Sequence, residues 1–276
     1  MTAVQRTEGS PRIAFTDEGE GETALLLFTG WCSSRQRWSE VAPRLARHHR
    51  VVSFEWRGHG ESDRAPGDFG NADMVEDALA VIEATGLSSF VPCTASHSGW
   101  VAIELFRRCP DRVPALIHLD WMVVEPSSRY SAVIDQLTSP EEWAQARDTL
   151  FEIWRAGVEE PRIDRAFEAM EGQGAEMWMR SGREIGSAYS RNQSPLAAWS
   201  TLPPPLEPPP ILHLYGQPVD PEYLAVQQEF AVEHPWFQVS HLEAVSHFSM
   251  LETPAAVEAA MVGFLAEQGL DRAEVR

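Results

Sequence analysis

The chain has 276 residues, 43% of them hydrophobic, and a formal net charge of −19; that length suits one large α/β domain or two small ones around a real core. So acidic a surface argues against nucleic acid and anionic membrane as partners, since both are polyanions, and with all 22 basic residues being Arg there is no lysine for Schiff-base or P-loop chemistry. Three cysteines without a CxxC pair, no apolar stretch in the leading MTAVQRTEGSPR and no membrane-length apolar run together predict a protein of the cytoplasm, without a disulfide framework, secretory signal or structural zinc.

In chain order, Ala24–Phe28 reads as a short buried strand, Trp38–His48 as a helix and Val51–Phe54 as a strand. Asn71–Thr85 follows as a helix, with Met74, Val75, Leu79 and Ile82 on one stripe and Gly86 as its stop. Phe90–Pro92 reads as a strand, His97–Arg108 as a helix and Ala115–Leu119 as a strand. From Glu125 to about Trp199 the sequence is helical and rich in Trp and Met, with no strand signal. Pro203–Pro210 then reads as a stiff extended connector. Ile211–Tyr215 resumes the strands, followed by one near Val239–Leu242 and a helix from about Pro254.

Strands alternating with helices imply an α/β fold, a mostly parallel sheet with helices on both faces. Residues 1–124 and 200–276 form the expected core. Residues 125–199 form an inserted helical cap over the carboxyl ends of the strands, where open α/β sheets bind ligands. Trp143, Trp154, Trp178, Met170, Met177 and Met179 serve either to pack the cap onto the body or, as a set above a pocket, to receive an aromatic, apolar ligand.

The segment FVPCTASHSGW (Phe90–Trp100) runs from a strand through Ser96 into a helix, the setting of a nucleophile elbow. The flanking positions of G-x-S-x-G are Thr94 and Ser98, small but not glycine. Asp120 ends the strand ALIHLD, and His247 follows a late strand. Ser, then Asp, then His is the order of the α/β-hydrolase triad. An imidazole is the group poised to take a proton near neutral pH, and a carboxylate on its other nitrogen fixes the tautomer. The loop Thr29–Cys32, with Trp31, and the residue after the elbow, His97, are placed to give two backbone N–H groups to an oxyanion hole. Asp220, after the strand ILHLY, is a rival to Asp120. Among nine histidines, the pair His48–His49 cannot face one another on a helix, and no metal site is expected.

The segments GWC (Gly30–Cys32), WRGHG (Trp56–Gly60), SHSGW (Ser96–Trp100), LDW (Leu119–Trp121), FEIW (Phe151–Trp154), HPWF (His234–Phe237) and SHF (Ser246–Phe248) resemble the cofactor-independent ring-cleaving 2,4-dioxygenases of 3-hydroxy-4-quinolones. The resemblance runs from about Leu25 to Phe264. It implies an α/β-hydrolase fold, with His247 as base, Asp120 as its partner and Ser96 as a hydrogen-bonding group. It also implies that Trp31 and His97 lie beside the substrate and that Trp154 lines its pocket. No cofactor or metal is implied; dioxygen is the co-substrate, and a 2-alkyl quinolone such as the Pseudomonas quinolone signal would be opened with loss of carbon monoxide to an N-acylanthranilate. Ser33-Ser34-Arg35 departs from the family, whose members carry a His after GWC. The alternatives are a Ser-His-Asp ester, lactone or amide hydrolase and a non-catalytic ligand-binding protein on the same fold.

Overall fold

The computed structural model describes residues 2–5, 9–65 and 67–271. Its strands are β1 (Thr2–Val4), β2 (Ile13–Glu18), β3 (Thr23–Phe28), β4 (Arg50–Phe54), β5 (Ser89–Ala95), β6 (Leu116–Leu119), β7 (Ile211–Tyr215) and β8 (Phe237–His241). They form one sheet in the order β1-β2-β4-β3-β5-β6-β7-β8. The β1–β2 and β2–β4 pairings are antiparallel and all the others are parallel. In β3, β5, β6 and β7 nearly every residue is buried, so both faces of the sheet are covered.

The helices are α1 (Ala42–Leu45), α2 (Asn71–Ala84), α3 (Gly99–Arg108), α4 (Ser128–Gln136), α5 (Trp143–Arg155), α6 (Pro161–Glu171), α7 (Gly174–Asn192), α8 (Pro195–Ser200), α9 (Pro221–Glu233), α10 (Ser249–Glu252) and α11 (Pro254–Glu267). Five of them, α4 to α8, lie between β6 and β7. No helix among the described residues is long and apolar enough to cross a membrane.

Several segments differ from expectation. Trp38–His48 is not one helix: a 3₁₀ turn at Arg35–Trp38 is followed by the single turn α1. Pro43 explains this, because it lacks an N–H and its ring clashes with the carbonyl four residues back, so a helix can begin near it but not run through it. β5 continues past Pro92 to Ala95, with β6 pairing only from Cys93 onward. Pro203–Pro210 is not fully extended; Leu206 N–H donates to the Pro203 carbonyl at 3.0 Å, closing a turn.

β3, β5, β6 and β7 are successive neighbours, so the segments leaving their carboxyl ends lie side by side. Cys32, Ser96 and Asp120, on three of those segments, all hold positive φ (59°, 55° and 48°). Left-handed backbone is unfavourable for L-residues and clusters where function holds it in place.

Candidate active site

A cavity of about 320 Å³ lies at this edge, lined by Ser96, His97, Asp120, Tyr130, Trp154 and His247 together with apolar side chains such as Met122, Ile153 and Val245. A narrow inner compartment adjoins it, sharing Ser96, His97, Tyr130, Trp154 and His247 and adding Trp31. All six residues singled out from the sequence therefore border connected space. Asp220 does not: it is exposed, and its carboxylate accepts the Glu222 N–H at 2.9 Å to cap α9.

Ser96 occupies the turn between β5 and α3. His247 Nε2 stands 3.1 Å from its Oγ. The elbow tolerates Ser98 because that side chain folds back on the turn, accepting the Ala95 N–H at 3.1 Å and donating to the Ala95 carbonyl at 2.8 Å. The glycine the site requires is one residue further on. A Cβ on Gly99 would lie 2.2 Å from the Trp121 ring, so the LDW tryptophan needs a bare backbone at the start of α3. Thr94 Oγ1 is 2.7 Å from His118 Nδ1 beneath the elbow.

His247 sits in a loop before α10. Its N–H donates to the Trp154 carbonyl at 2.8 Å, and its ring lies flat against the Trp154 indole, with centroids 5.1 Å apart. The Arg37 guanidinium donates to the His247 carbonyl. Burial, then the charge of Arg37 and the neighbouring His97, hold the His247 pKa well below the usual histidine value. His97, hydrogen-bonded through Nε2 to Tyr130 OH at 2.6 Å, is pushed by burial down to about 3. Both imidazoles are neutral at neutral pH.

Asp120 is fully enclosed. Its Oδ1 accepts the Gly216 N–H at 2.9 Å, and its Oδ2 accepts the Ser249 N–H at 3.1 Å and hydroxyl at 2.6 Å. Among the described residues no hydrogen bond or ion pair joins Asp120 to His247. Burial raises the Asp120 pKa, opposed by these donors and by Arg37. Three donors on two oxygens mark the group as an acceptor, an ionised carboxylate.

The WRGHG segment fastens the loop Thr29–Cys32. Trp56 Nε1–H donates to the Thr29 carbonyl at 2.7 Å, and His59 Nε2 accepts the Cys32 N–H at 3.0 Å while its Nδ1 faces the Arg57 carbonyl. Those partners require the Nδ1–H tautomer, and burial lowers the His59 pKa to about 4. Arg37, Ser249 and Tyr130 escaped the sequence reading, since no local pattern ties them to a site; His59 stood within the quoted WRGHG segment but without a role. Among the described residues no group of three His, Cys, Asp or Glu side chains could hold a metal ion.

The family model described as alpha/beta hydrolase fold matches residues 23–201. The 2-heptyl-3-hydroxy-4-quinolone dioxygenase AqdC1 of Rhodococcus erythropolis is 38% identical over 86% of this chain and 84% of its own length. The 1H-3-hydroxy-4-oxoquinoline 2,4-dioxygenase of Pseudomonas putida is 31% identical over 92% of this chain and 96% of its own. A solved structure of AqDC with its product, concerned with recognition and ring-cleavage of the Pseudomonas quinolone signal, superposes with a TM-score of 0.89 at 33% identity over 96% of this chain and all of that one. Taken with the Ser96–His247 geometry, these likenesses mean that the chain belongs to the α/β-hydrolase fold family and, within it, to the 3-hydroxy-4-quinolone 2,4-dioxygenases.

Proposed function

We infer that this chain is a dioxygenase that opens the heterocyclic ring of a 3-hydroxy-4(1H)-quinolone. The observation that carries the reading is likeness over nearly the whole chain to quinolone dioxygenases, joined to a buried imidazole facing an apolar cavity of small-molecule size. A 2-alkyl substrate such as the Pseudomonas quinolone signal is favoured by the 2-heptyl specificity named for the Rhodococcus relative.

In this reading His247 is the base. Its Nε2 takes the proton of the substrate 3-hydroxyl, with the Ser96 hydroxyl within hydrogen-bond reach of the same nitrogen. The resulting anion is electron-rich enough to reduce dioxygen itself, so no metal or flavin is needed. Peroxide forms at C2 and its distal oxygen attacks C4; cleavage of the O–O, C2–C3 and C3–C4 bonds then releases C3 as carbon monoxide and leaves an N-acylanthranilate. Trp31 and His97 flank the substrate, their backbone N–H groups serving the oxygen at C4. Trp154 forms the aromatic wall. Asp120, a carboxylate in the same cavity, favours the imidazolium that forms. Residues 125–199 act as the cap that excludes water from the anion and peroxide, over a core of 1–124 and 200–276. Three free thiols favour a reducing compartment, the cytoplasm. The excess of acidic residues is consistent with a small aromatic molecule, not a nucleic acid, as partner.

A Ser96 hydrolase is the second reading, favoured by the same Ser96–His247 contact. Metal-stripped protein mixed with a 2-heptyl-3-hydroxy-4(1H)-quinolone separates them. Oxygen uptake matched by carbon monoxide release is expected; no uptake with methyl or heptyl substrates, and turnover of an ester panel, would assign the hydrolase.

A further inference from the structure

A pocket of about 280 Å³ lies between the segment Ser33–Ser39 and α6. Its lining includes Ser33, Ser34, Arg37, Ser39, Arg162 and Arg165. Three arginines facing one pocket are unexpected on a chain of net charge −19. Arg162 and Arg165 are three apart in α6, with Ala166 and Ala169 on the same face keeping the floor low.

The three guanidinium groups differ in how well they are already satisfied. Arg162 is paired with Glu40 at 3.2 Å and Glu160 at 2.9 Å. Arg165 is exposed and makes no hydrogen bond or ion pair among the described residues, though Glu160 lies within its field. Arg37 is 3% exposed; its Nη2 donates to the His247 carbonyl and its plane covers Phe248, yet its buried Nε–H has no partner. An unpaired donor on a buried cation is costly and calls for an acceptor. Among the described residues the hydroxyls of Ser33, Ser34 and Ser39 make no hydrogen bond either, leaving them available as further donors. Guanidinium forks and hydroxyls match the oxygens of a carboxylate or a phosphate.

We propose that this pocket is a binding site for a small oxyanion, a carboxylate or a phosphate, held by Arg37 and Arg165 with the serine hydroxyls. Among the described residues Arg37 alone lines both this pocket and the inner compartment beside Ser96 and His247. The bound anion is therefore separated from His247 by one side chain, that of Arg37. The site stands on its own residues and does not depend on the dioxygenase reading.

Calorimetric titration of inorganic phosphate, and separately of acetate, into the full-length protein tests it, with chloride at matched ionic strength as the blank. Saturable one-site binding of at least one anion is expected, weakened tenfold or more in Arg165→Gln. That side chain is exposed and unpaired, so the variant should keep its fold, checked by an unchanged melting temperature. Phosphate binding alone identifies a phosphoryl ligand, and acetate binding a carboxylate. No saturable heat with either anion, or equal affinity in the folded Arg165→Gln variant, overturns the proposal.

Discussion

The imidazole of His247 and the indole of Trp154 lie 17° from parallel, and the backbone N–H of the first donates to the carbonyl of the second. His247 is thus tied to the last turn of α5 as well as to its own loop. Trp154→Ala removes the stacked face while keeping the backbone bond. Its kcat should fall by roughly 10–100-fold, the scale on which misplacing a catalytic group slows a reaction. Steady-state oxygen uptake checks this; an unchanged kcat would mean that the ring orients itself without the indole.

His247→Ala and Ser96→Ala should part company. Loss of the base is expected to cost about 10²–10⁴-fold in kcat/KM. Loss of the hydroxyl should leave a substantial part of the activity, because Ser96 forms no covalent bond to substrate in the proposed reaction. An equal collapse in both variants would instead mark Ser96 as a nucleophile.

The pH dependence follows from the buried histidines. His247 is held neutral well below the usual histidine range, mainly by burial and next by Arg37. A base works in its neutral form, so kcat/KM should stay level as pH falls from 7 to about 6. An acid limb centred above pH 7 would contradict the assignment. Stability behaves differently. Burial lowers His59 and His213 to about 4 and His97 and His118 to about 3. Below about 6.5 the unfolded chain takes up protons on these groups that the folded chain refuses, so each removes about 1.4 kcal/mol per pH unit. The raised pKa values of the buried carboxyls of Glu55, Asp77 and Asp120 act in the opposite sense at lower pH. The melting temperature should therefore drop between about pH 6.5 and 5, as a calorimetric series would reveal.

Asp120 and Asp220 make a matched pair of probes. Asp120→Ala strands the Gly216 and Ser249 donors inside the protein. A destabilisation of about 3 kcal/mol or more is expected, together with lost turnover. Asp220→Ala removes only the cap of exposed α9, worth about 1 kcal/mol, with turnover kept. Urea denaturation and kcat/KM on the two proteins give the comparison; loss of turnover in Asp220→Ala would transfer the acidic role to it.

The sheet was legible where burial is two-sided. β3, β4, β6 and β7 announce themselves as short, mostly apolar runs within a residue or so of their ends, with only Ser53, His118 and His213 interrupting them. β1 and β2 did not, being partly exposed edge strands whose pattern is short and mixed. α9 was missed because its apolar residues are spread around the helix and many face solvent. In the site, Ser96 and His247 could be read from chain order. The direct carboxylate–imidazole bond suggested by that order is not what holds Asp120, which is bound by Gly216 and Ser249. Arg37 meets His247 across 210 positions and Ser249 meets Asp120 across 129, separations at which only folding reveals a contact.

The left-handed backbone at Cys32, Ser96 and Asp120 bears on any attempt to harden this protein. Each holds a conformation that costs an L-residue on the order of 1–2 kcal/mol and costs glycine little. A selection for heat resistance alone would find relief there, and would take it from residues that border the substrate cavity or from the loop beside it. Endurance and turnover draw on the same positions, so evolved lineages have to be scored on both at every round.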